Sequence, residues 1–228
     1  YTWEKQAAKF DRDFGKEVAW DIPLLDGYDH CFVSNNNKMG RGFWDVKNPG
    51  LLTAIETWNA NAVPVIGWNY LSHLKVMLHF KKRIPVLFRG DSTLLDENGG
   101  IKKWLRRIFL KWVYRHIDHA LYVGTANKAY YLKHGIQNNQ LAFTPHAIDN
   151  KRFGTIDNEQ QQYIQNTREA MGIRRDDITI VFCGKLQAKK NPLMLAKAVQ
   201  ALGHKDLHVI FVGDGLLEPE LKAAIAGN

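Results

Sequence analysis

The feature that most constrains this chain is a pair of consecutive strand–helix units near its C-terminal end. Residues 178–191 read ITIVFCGKLQAKKN, which is a β-branched apolar run broken by a glycine and followed by a loop that contains Lys185 and Lys190. Helical spacing follows over 193–202, and the pattern repeats as an apolar run at 207–215 and a helical run at 216–225. Consecutive strand–helix units predict a parallel sheet, whose ligands bind beyond the carboxyl ends of its strands.

The loop after the first of these strands has the composition of an anion site. Gly184 lets the backbone approach a ligand closely, Lys185 and Lys190 supply two ammonium groups, and the next helix can direct its first N–H groups at the same anion. These features predict a site for a diphosphate. The alternative is an ordinary surface loop that carries lysines. Gly213 and Gly215 follow the second strand and are expected to bring backbone toward the same cleft, unless they serve only a tight turn.

Strand-like and helical runs also alternate through the first two thirds of the chain, between residues 51 and 144. The segment 151–175 is polar, rich in Gln and Asn, and reads as a linker. We therefore expect an α/β protein with two Rossmann-like domains, at 1–150 and 176–228, with parallel sheets and a cleft between them. The chain opens on Tyr1 and stops within a strand–helix series, so both domains are expected to be incomplete.

The composition of the chain narrows the classes of binding partner but does not identify one. The chain has 228 residues and a net charge of +8 at pH 7, which favours anionic partners such as nucleotides, nucleic acids or acidic membranes. Its two cysteines are far apart, so neither a disulfide framework nor a zinc site is indicated, and a reducing cytoplasm is the expected setting. No apolar run approaches the roughly 20 residues that span a bilayer, so the chain is expected to be soluble or peripheral.

The strongest helix prediction covers residues 101–116, IKKWLRRIFLKWVYRH. Apolar and aromatic residues recur at helical spacing, while lysines and arginines occupy the other positions and no acidic residue occurs. The favoured interpretation is that the aromatic stripe packs on the sheet and the basic face is solvated. The alternative is that this helix lies on an anionic membrane surface, on the inner face of the membrane.

Beyond these patterns, the chain resembles the retaining glycosyltransferases of the GT-B fold, specifically family 4. The resemblance covers most of the chain, and its segments occur in the family's order. They are WDIPLLDGYD at 20–29, DHALYVGTANKAYYLKHGI at 118–136, FTPHAIDNKRF at 143–153, FCGKLQAKKNP at 182–192 and FVGDGLLEPEL at 211–221.

The resemblance implies transfer of a sugar from a nucleoside-diphosphate sugar to a glycan or lipid-linked acceptor, as in lipopolysaccharide or capsule synthesis. It places the donor in the C-terminal domain and assigns the donor diphosphate to the positions of Lys185 and Lys190. Lys185 stands where the family more often has arginine, which keeps the charge but loses the planar, bidentate fork. No cofactor is implied. The lysines can oppose the diphosphate without a metal, and no DxD-like or His-rich cluster indicates one.

The catalytic pocket is harder to transfer, because the histidine that many members carry after the strand at 85–88 is replaced here by FRGDST. Arg89 and Asp91 occupy that region and are the candidate catalytic pair, unless they form only a structural ion pair. His146, near the expected domain boundary, is a further candidate for the donor cleft or else a structural residue. Asp149 beside it is expected to cap a turn.

Two other classes of function stay open at this point. The same loops could belong to a module that binds nucleotides or other anions without catalysis, or to an inactive fragment of an enzyme. Nucleic-acid binding through residues 101–116 ranks last, because no recognition module accompanies the basic helix.

Overall fold

A computed structural model describes residues 9–11, 16–18, 23, 25–35, 42–95 and 100–226. The described part of the chain alternates strands with helices as the sequence predicts. The elements are β1 (Lys9–Asp11), β2 (Lys16–Val18), α1 (Leu51–Thr57), β3 (Val63–Ile66), α2 (Leu71–Phe80), β4 (Val86–Arg89), α3 (Ile101–Tyr114), β5 (His119–Tyr122), α4 (Thr125–Lys133), β6 (Leu141–Phe143), α5 (Asn150–Gly154), α6 (Asn158–Ala170), β7 (Ile178–Cys183), α7 (Pro192–Leu202), β8 (Leu207–Val212) and α8 (Glu218–Ile225).

The chain divides into two compact units, and the first comprises described residues within 27–148. Its sheet has the order β3-β4-β5-β6, and every neighbouring pair is parallel. Helices α2, α3 and α4 form the connections between these strands. Because the strands are parallel, their carboxyl ends and the loops that follow them lie at one edge of the sheet.

The core of the first unit lies where β4 and β5 contact the helices. Its members with no more than 1% exposure are Met77, Val86, Phe88, Leu110, Val113, Ile117, Ala120, Tyr130 and Tyr131. A partly buried carboxylate, that of Asp118, lies at the edge of this core and accepts two hydrogen bonds. The Asp118 carboxylate accepts hydrogen bonds from Lys81 Nζ at 2.6 Å and from the Val86 N–H at 2.9 Å. Partial burial opposes its charge, but these two donors outweigh burial and hold the pKa of Asp118 below its ordinary value.

The second unit comprises described residues of 149–226 together with the antiparallel pair β1–β2. Strands β7 and β8 pair in parallel along their whole length, with Phe182 opposite Phe211. The two rings lie 5.6 Å apart between centroids and pack with Leu186, Ala196 and Leu221 into a small core.

Strand β8 is not fully buried despite its apolar sequence, because its residues are only partly buried or exposed. On β7 the side chain of Val181 is 58% exposed. In the described part of the chain β7 and β8 form a two-stranded sheet, so each strand has one free edge. Strands with such an apolar composition are typical of a sheet that is covered on both faces. Here the core that contains Phe182 and Phe211 covers only one face of the sheet.

Helix α3 confirms the helix predicted over 101–116 but not the favoured interpretation of its packing. The aromatic stripe was expected to face the sheet. Val113 is the one buried member of that stripe, and the other buried residues of α3, Leu110 and Tyr114, lie outside it. Most of the predicted stripe is exposed to solvent, including both tryptophans. The physical reason is that Leu110 and Tyr114 lie on the side of the helix opposite to the stripe, and their burial decides which side faces the sheet.

The polar segment interpreted as a linker contains α5 and α6. Asp149 caps α5 by accepting hydrogen bonds from the N–H groups of Lys151 and Arg152, as expected for this residue. Asp157 caps α6 by accepting a hydrogen bond from the Gln160 N–H, and the Gln160 side chain accepts one from the Asp157 N–H.

Across the described residues, every helix is too short or too polar to cross a bilayer.

A buried carboxylate fixes the entry to β7. Asp177 accepts hydrogen bonds from the backbone N–H of Arg174 at 2.9 Å and from its guanidinium at 3.0 Å, and it lies 3.0 Å from His208 Nε2 on β8. The Arg174 guanidinium and N–H, helped by His208, hold the pKa of Asp177 at about 2. The carboxylate therefore joins the turn before β7 to the neighbouring strand.

This network predicts an acid-sensitive step in the stability of the second unit. The pKa of Asp177 is about 2 in the folded protein and about 3.9 in an unfolded chain. Its contribution is therefore complete above about pH 4 and is lost as the pH falls toward 2. Urea unfolding followed by circular dichroism across this range should show Asp177→Asn already destabilised at neutral pH and less sensitive to acid than the natural chain. Asp176→Asn, at the exposed neighbouring carboxylate, is the matched control and should behave like the natural chain.

Candidate functional site

The loops that follow β7 and β8 are joined by backbone hydrogen bonds. The Gly184 N–H donates to the Val212 carbonyl and the Leu186 N–H to the Asp214 carbonyl, both at 2.9 Å. The Leu217 N–H donates to the Leu186 carbonyl, also at 2.9 Å. The structure therefore brings together the glycine–lysine loop and the second glycine loop, as the parallel pairing of their strands predicts.

Gly213 and Gly215 are required by this close approach of backbone to backbone. A Cβ atom at Gly213 would lie 2.0 Å from the Gly184 carbonyl oxygen, and one at Gly215 would lie 2.4 Å from the Leu186 carbonyl oxygen. Their φ angles of +141° and +157° also belong to the region that favours glycine. The packing interpretation of these glycines thus has direct support, and their place beside a donor stays a prediction.

The two lysines lie on the same loop at the carboxyl edge of β7. Lys185 directly follows Gly184 and is half-buried, whereas Lys190 is exposed at the end of a 3₁₀ turn, Ala188–Lys190. Asn191 then adopts a left-handed conformation, with φ of 51°, and Pro192 begins α7. Proline at the first helical position fits because the N–H it lacks would have no partner within the helix.

Sequence reasoning missed one ionic contact at this edge. Asp214, between the two glycines, forms an ion pair with Lys16 of β2. Both side chains are partly exposed, so the pair adds little stability. It does put one carboxylate and one further ammonium group beside the loop of Gly184. No pattern near Lys16 indicates this contact, because the two residues are far apart in sequence.

A second group of polar residues lies at the carboxyl edge of the first unit's sheet. The Arg89 guanidinium donates a hydrogen bond to the Pro145 carbonyl at 3.1 Å, which places it beside the peptide of His146. Within the described structure Arg89 makes no ion pair with Asp91, so the simple structural ion pair considered above is not formed. Asp91 and His146 are both exposed, and their candidate roles remain predictions.

Asp91 is one of the residues that line a small cavity of about 90 Å³. The cavity walls combine aromatic and polar side chains from the ends of β3 and β4 and from α3 and α4. They are Gly67, Trp68, Asn69, Phe88, Gly90, Asp91, Ser92, Tyr114, Asn127 and Tyr131. A pocket of this size admits a small polar group rather than a whole substrate.

Two residues of α4 hold the rim of this cavity in place. The Asn127 amide donates to the Ser92 carbonyl at 2.8 Å and accepts from the Val123 N–H at 3.1 Å. The Tyr131 hydroxyl donates to the Gly90 carbonyl at 3.1 Å. Burial raises the pKa of Tyr131 to about 12, so the hydroxyl remains a donor at neutral pH. Sequence reasoning missed both residues, because Asn and Tyr within a helix carry no signal of their partners in a distant loop.

Among the described residues, no group of three histidine, cysteine, aspartate or glutamate side chains could hold a metal ion. The candidate features are thus the backbone donors and lysines at the edge of the second unit's sheet and, separately, the cavity beside Asp91 in the first unit.

Comparisons with known proteins identify the fold of this chain but not its family. Neither a protein-family model nor a curated protein matches this sequence. Among solved structures, the chain is similar to a glycosyltransferase from Rickettsia africae, with a TM-score of 0.55 and 18% identity over 78% of this chain and 46% of that one. It is also similar to HepE from Anabaena, a structure solved with UDP and glucose, with a TM-score of 0.56 and 16% identity over 78% of this chain and 48% of that one.

These likenesses confirm the predicted fold class, an α/β chain with parallel Rossmann-like sheets of the GT-B type. The chain spans about half the length of the solved structures that it matches. At such low identities they establish the fold and leave the reaction to be argued from the residues.

The backbone contact at Gly213 gives a prediction that does not depend on any ligand. Gly213→Ala should lower the free energy of unfolding of the second unit by about 3 kcal/mol or more, because backbone strain adds to the clash with Gly184. Gly203→Ala is the matched control. Gly203 has a positive φ of 62° but open space around it, so that change should cost only about 1 kcal/mol. Urea unfolding measured by circular dichroism compares the two, and equal effects would contradict the role given to the contact.

Proposed function

We propose that the protein transfers a glycosyl group from a nucleoside-diphosphate sugar to an acceptor, with retention of configuration, in the manner of GT-B enzymes of family 4. The observation that carries the proposal is the joined pair of loops after β7 and β8. It presents Lys185 and Lys190 at the edge where ligands bind in parallel sheets. The GT-B fold supports it, since that fold is shared with the glycosyltransferase from Rickettsia africae and with HepE, which was solved with UDP and glucose.

The lysines suit the charge change of this reaction. When the bond between the sugar and the donor phosphate breaks, its electrons stay on the diphosphate, and negative charge grows on that leaving group. Ammonium groups fixed beside it stabilise the transition state more than the bound donor, which is the requirement for faster chemistry. Because the positive charge comes from side chains, the proposed reaction needs no metal ion.

The acceptor side is assigned to the cavity beside Asp91. Its exposed carboxylate can orient an acceptor hydroxyl, and Arg89, held by the Pro145 carbonyl, can face an anionic group of either substrate. The proposed acceptor is a glycan or a lipid-linked glycan, and the proposed setting is polysaccharide synthesis in the cytoplasm. His146, near Arg89, is proposed to border the donor site.

A second candidate is a module that binds nucleotides without catalysis. The observation in its favour is that Gly213 and Gly215 are fully explained by packing, so the loop geometry requires no reacting group. The two functions differ in a simple assay. The enzyme releases nucleoside diphosphate and forms a glycosylated product, whereas the module binds UDP, GDP or ADP in calorimetry and forms none.

If Lys185 and Lys190 bind the donor diphosphate, removing the charge of either lysine should lower the glycosyltransferase activity. The protein is incubated with UDP-, GDP- and ADP-sugars and a panel of acceptors, and nucleoside diphosphate release is measured. Lys185→Gln and Lys190→Gln should each lower kcat/KM by about a hundredfold, which is typical when one donor to a developing anion is lost. Lys197→Gln, at an exposed lysine on α7, is the matched control and should stay near the natural rate. No release with any donor, or full activity without both lysines, would refute the assignment.

A separate variant tests the acceptor side. Asp91→Asn should lower kcat by about a hundredfold while leaving the KM for the donor nearly unchanged, because the carboxylate is assigned to the acceptor hydroxyl. Asp29→Asn is the control at another exposed carboxylate of the same unit. A rise in the donor KM at constant kcat would instead move Asp91 to the donor site.

A further inference from the structure

The exposed side of α3 forms a continuous apolar surface, which we call the α3 ridge. Its two tryptophans, Trp104 and Trp112, are 62% and 40% exposed. The ridge consists of Ile101, Trp104, Leu105, Ile108 and Trp112. These positions are separated by three or four residues, so they align along one side of the helix for nearly its whole length. A contiguous apolar surface of this kind marks an interaction site.

The ridge cannot turn inward, because the opposite side of α3 is part of the core. Leu110 and Val113 have 0% exposure, and Tyr114 has 4%. Phe109 also packs against this core, with its ring 5.5 Å from that of Trp68. Rotating the helix to hide the tryptophans would expose this core. Among the described residues of the first unit, none covers the ridge, so it binds another occupant or remains in water.

Positive charge borders the ridge along both sides. At about 100° of rotation per residue, Lys111 lies beside Trp104 on one flank, and Lys102 lies on the other. Arg115 continues the line of the ridge at its C-terminal end, and Arg106 lies beyond Lys102, toward the core side. All four of these side chains are exposed, and residues 101–116 contain no aspartate or glutamate. Long basic side chains can keep their heads in a polar layer while their stems lie against apolar groups.

We propose that the α3 ridge docks this protein on an anionic lipid membrane, with α3 lying flat in the layer between headgroups and acyl chains. The charge pattern favours this occupant over a second copy of the chain, because a symmetric contact would bring two strongly basic helices together. It is also the pattern of helices that lie on membranes, with Trp, Leu and Ile on one face and Lys and Arg beside them. This inference does not depend on the proposed glycosyl transfer.

The dimensions of α3 fit a surface position. The helix has 14 residues and is about 21 Å long, which is too short to span a bilayer of about 30 Å. Trp104 and Trp112 have the amphipathic rings that concentrate at membrane–water interfaces.

The test is sedimentation of the whole chain with vesicles. One set contains phosphatidylcholine alone, and the other contains phosphatidylcholine mixed with phosphatidylglycerol. We expect the chain to pellet with the mixed vesicles, and to do so less as salt is added, since surface potential is screened by ions. The triple variant Trp104→Ser, Leu105→Ser, Ile108→Ser should lower the partition coefficient by roughly a hundredfold or more. Circular dichroism checks that it folds.

A charge variant separates electrostatic attraction from apolar insertion. Changing Lys102, Arg106, Lys111 and Arg115 to Gln should lower binding to mixed vesicles by about fivefold for each charge and remove the salt dependence. The matched control changes four exposed cations elsewhere to Gln: Lys133, Arg175, Lys197 and Lys205. A matched control for the ridge is Leu216→Ser, at a leucine that is 83% exposed outside α3. Both controls should bind like the natural chain.

Three results would overturn the proposal. The first is absence of binding to both kinds of vesicle. The second is undiminished binding by the ridge variant. The third is a dimer, seen by light scattering without lipid, that the ridge variant abolishes while vesicle binding is absent. That result would assign the ridge to a second copy of the chain.

Discussion

Parallel pairing of strands is the constraint on which the rest of this structure depends. It brings the loops after β3, β4, β5 and β6 to one edge of the first sheet, and the loops after β7 and β8 to one edge of the second. Chemically useful residues that are distant in sequence, such as Arg89 and Pro145, meet only for this reason. The same geometry permits the backbone bonds between the loops that begin at Gly184 and Gly213.

The patterns that predicted this fold were local ones. Alternating strand and helix periods, broken by glycines, indicated the α/β class and located α3 and the elements from β7 to α8 to within a few residues. Periodicity succeeds there because the residues that define each element are neighbours in the chain. The order of strands in the first sheet follows from the same series of connections.

Other features depend on contacts that a local pattern does not contain. The apolar stripe of α3 was expected inside, yet Leu110 and Tyr114 on the other side of the helix determine its packing. The partial exposure of β7 and β8 is also absent from their apolar patterns, because it depends on how many strands and helices surround them. For the site, the glycines and lysines were visible in sequence. Asn127 and Tyr131 were not, because their partners are backbone carbonyls more than thirty residues away.

The bonds between the loops at Gly184 and Gly213 have a consequence for redesign. Three backbone hydrogen bonds join the two segments, and at Gly213 and Gly215 they approach so closely that no Cβ atom would fit. The two segments therefore form one structural unit. If only one of the two loops were transferred into a homologous protein, it would not fit the backbone of the loop that it contacts. Chimeras that exchange this edge of the sheet should transplant the pair together and vary the outward-facing side chains.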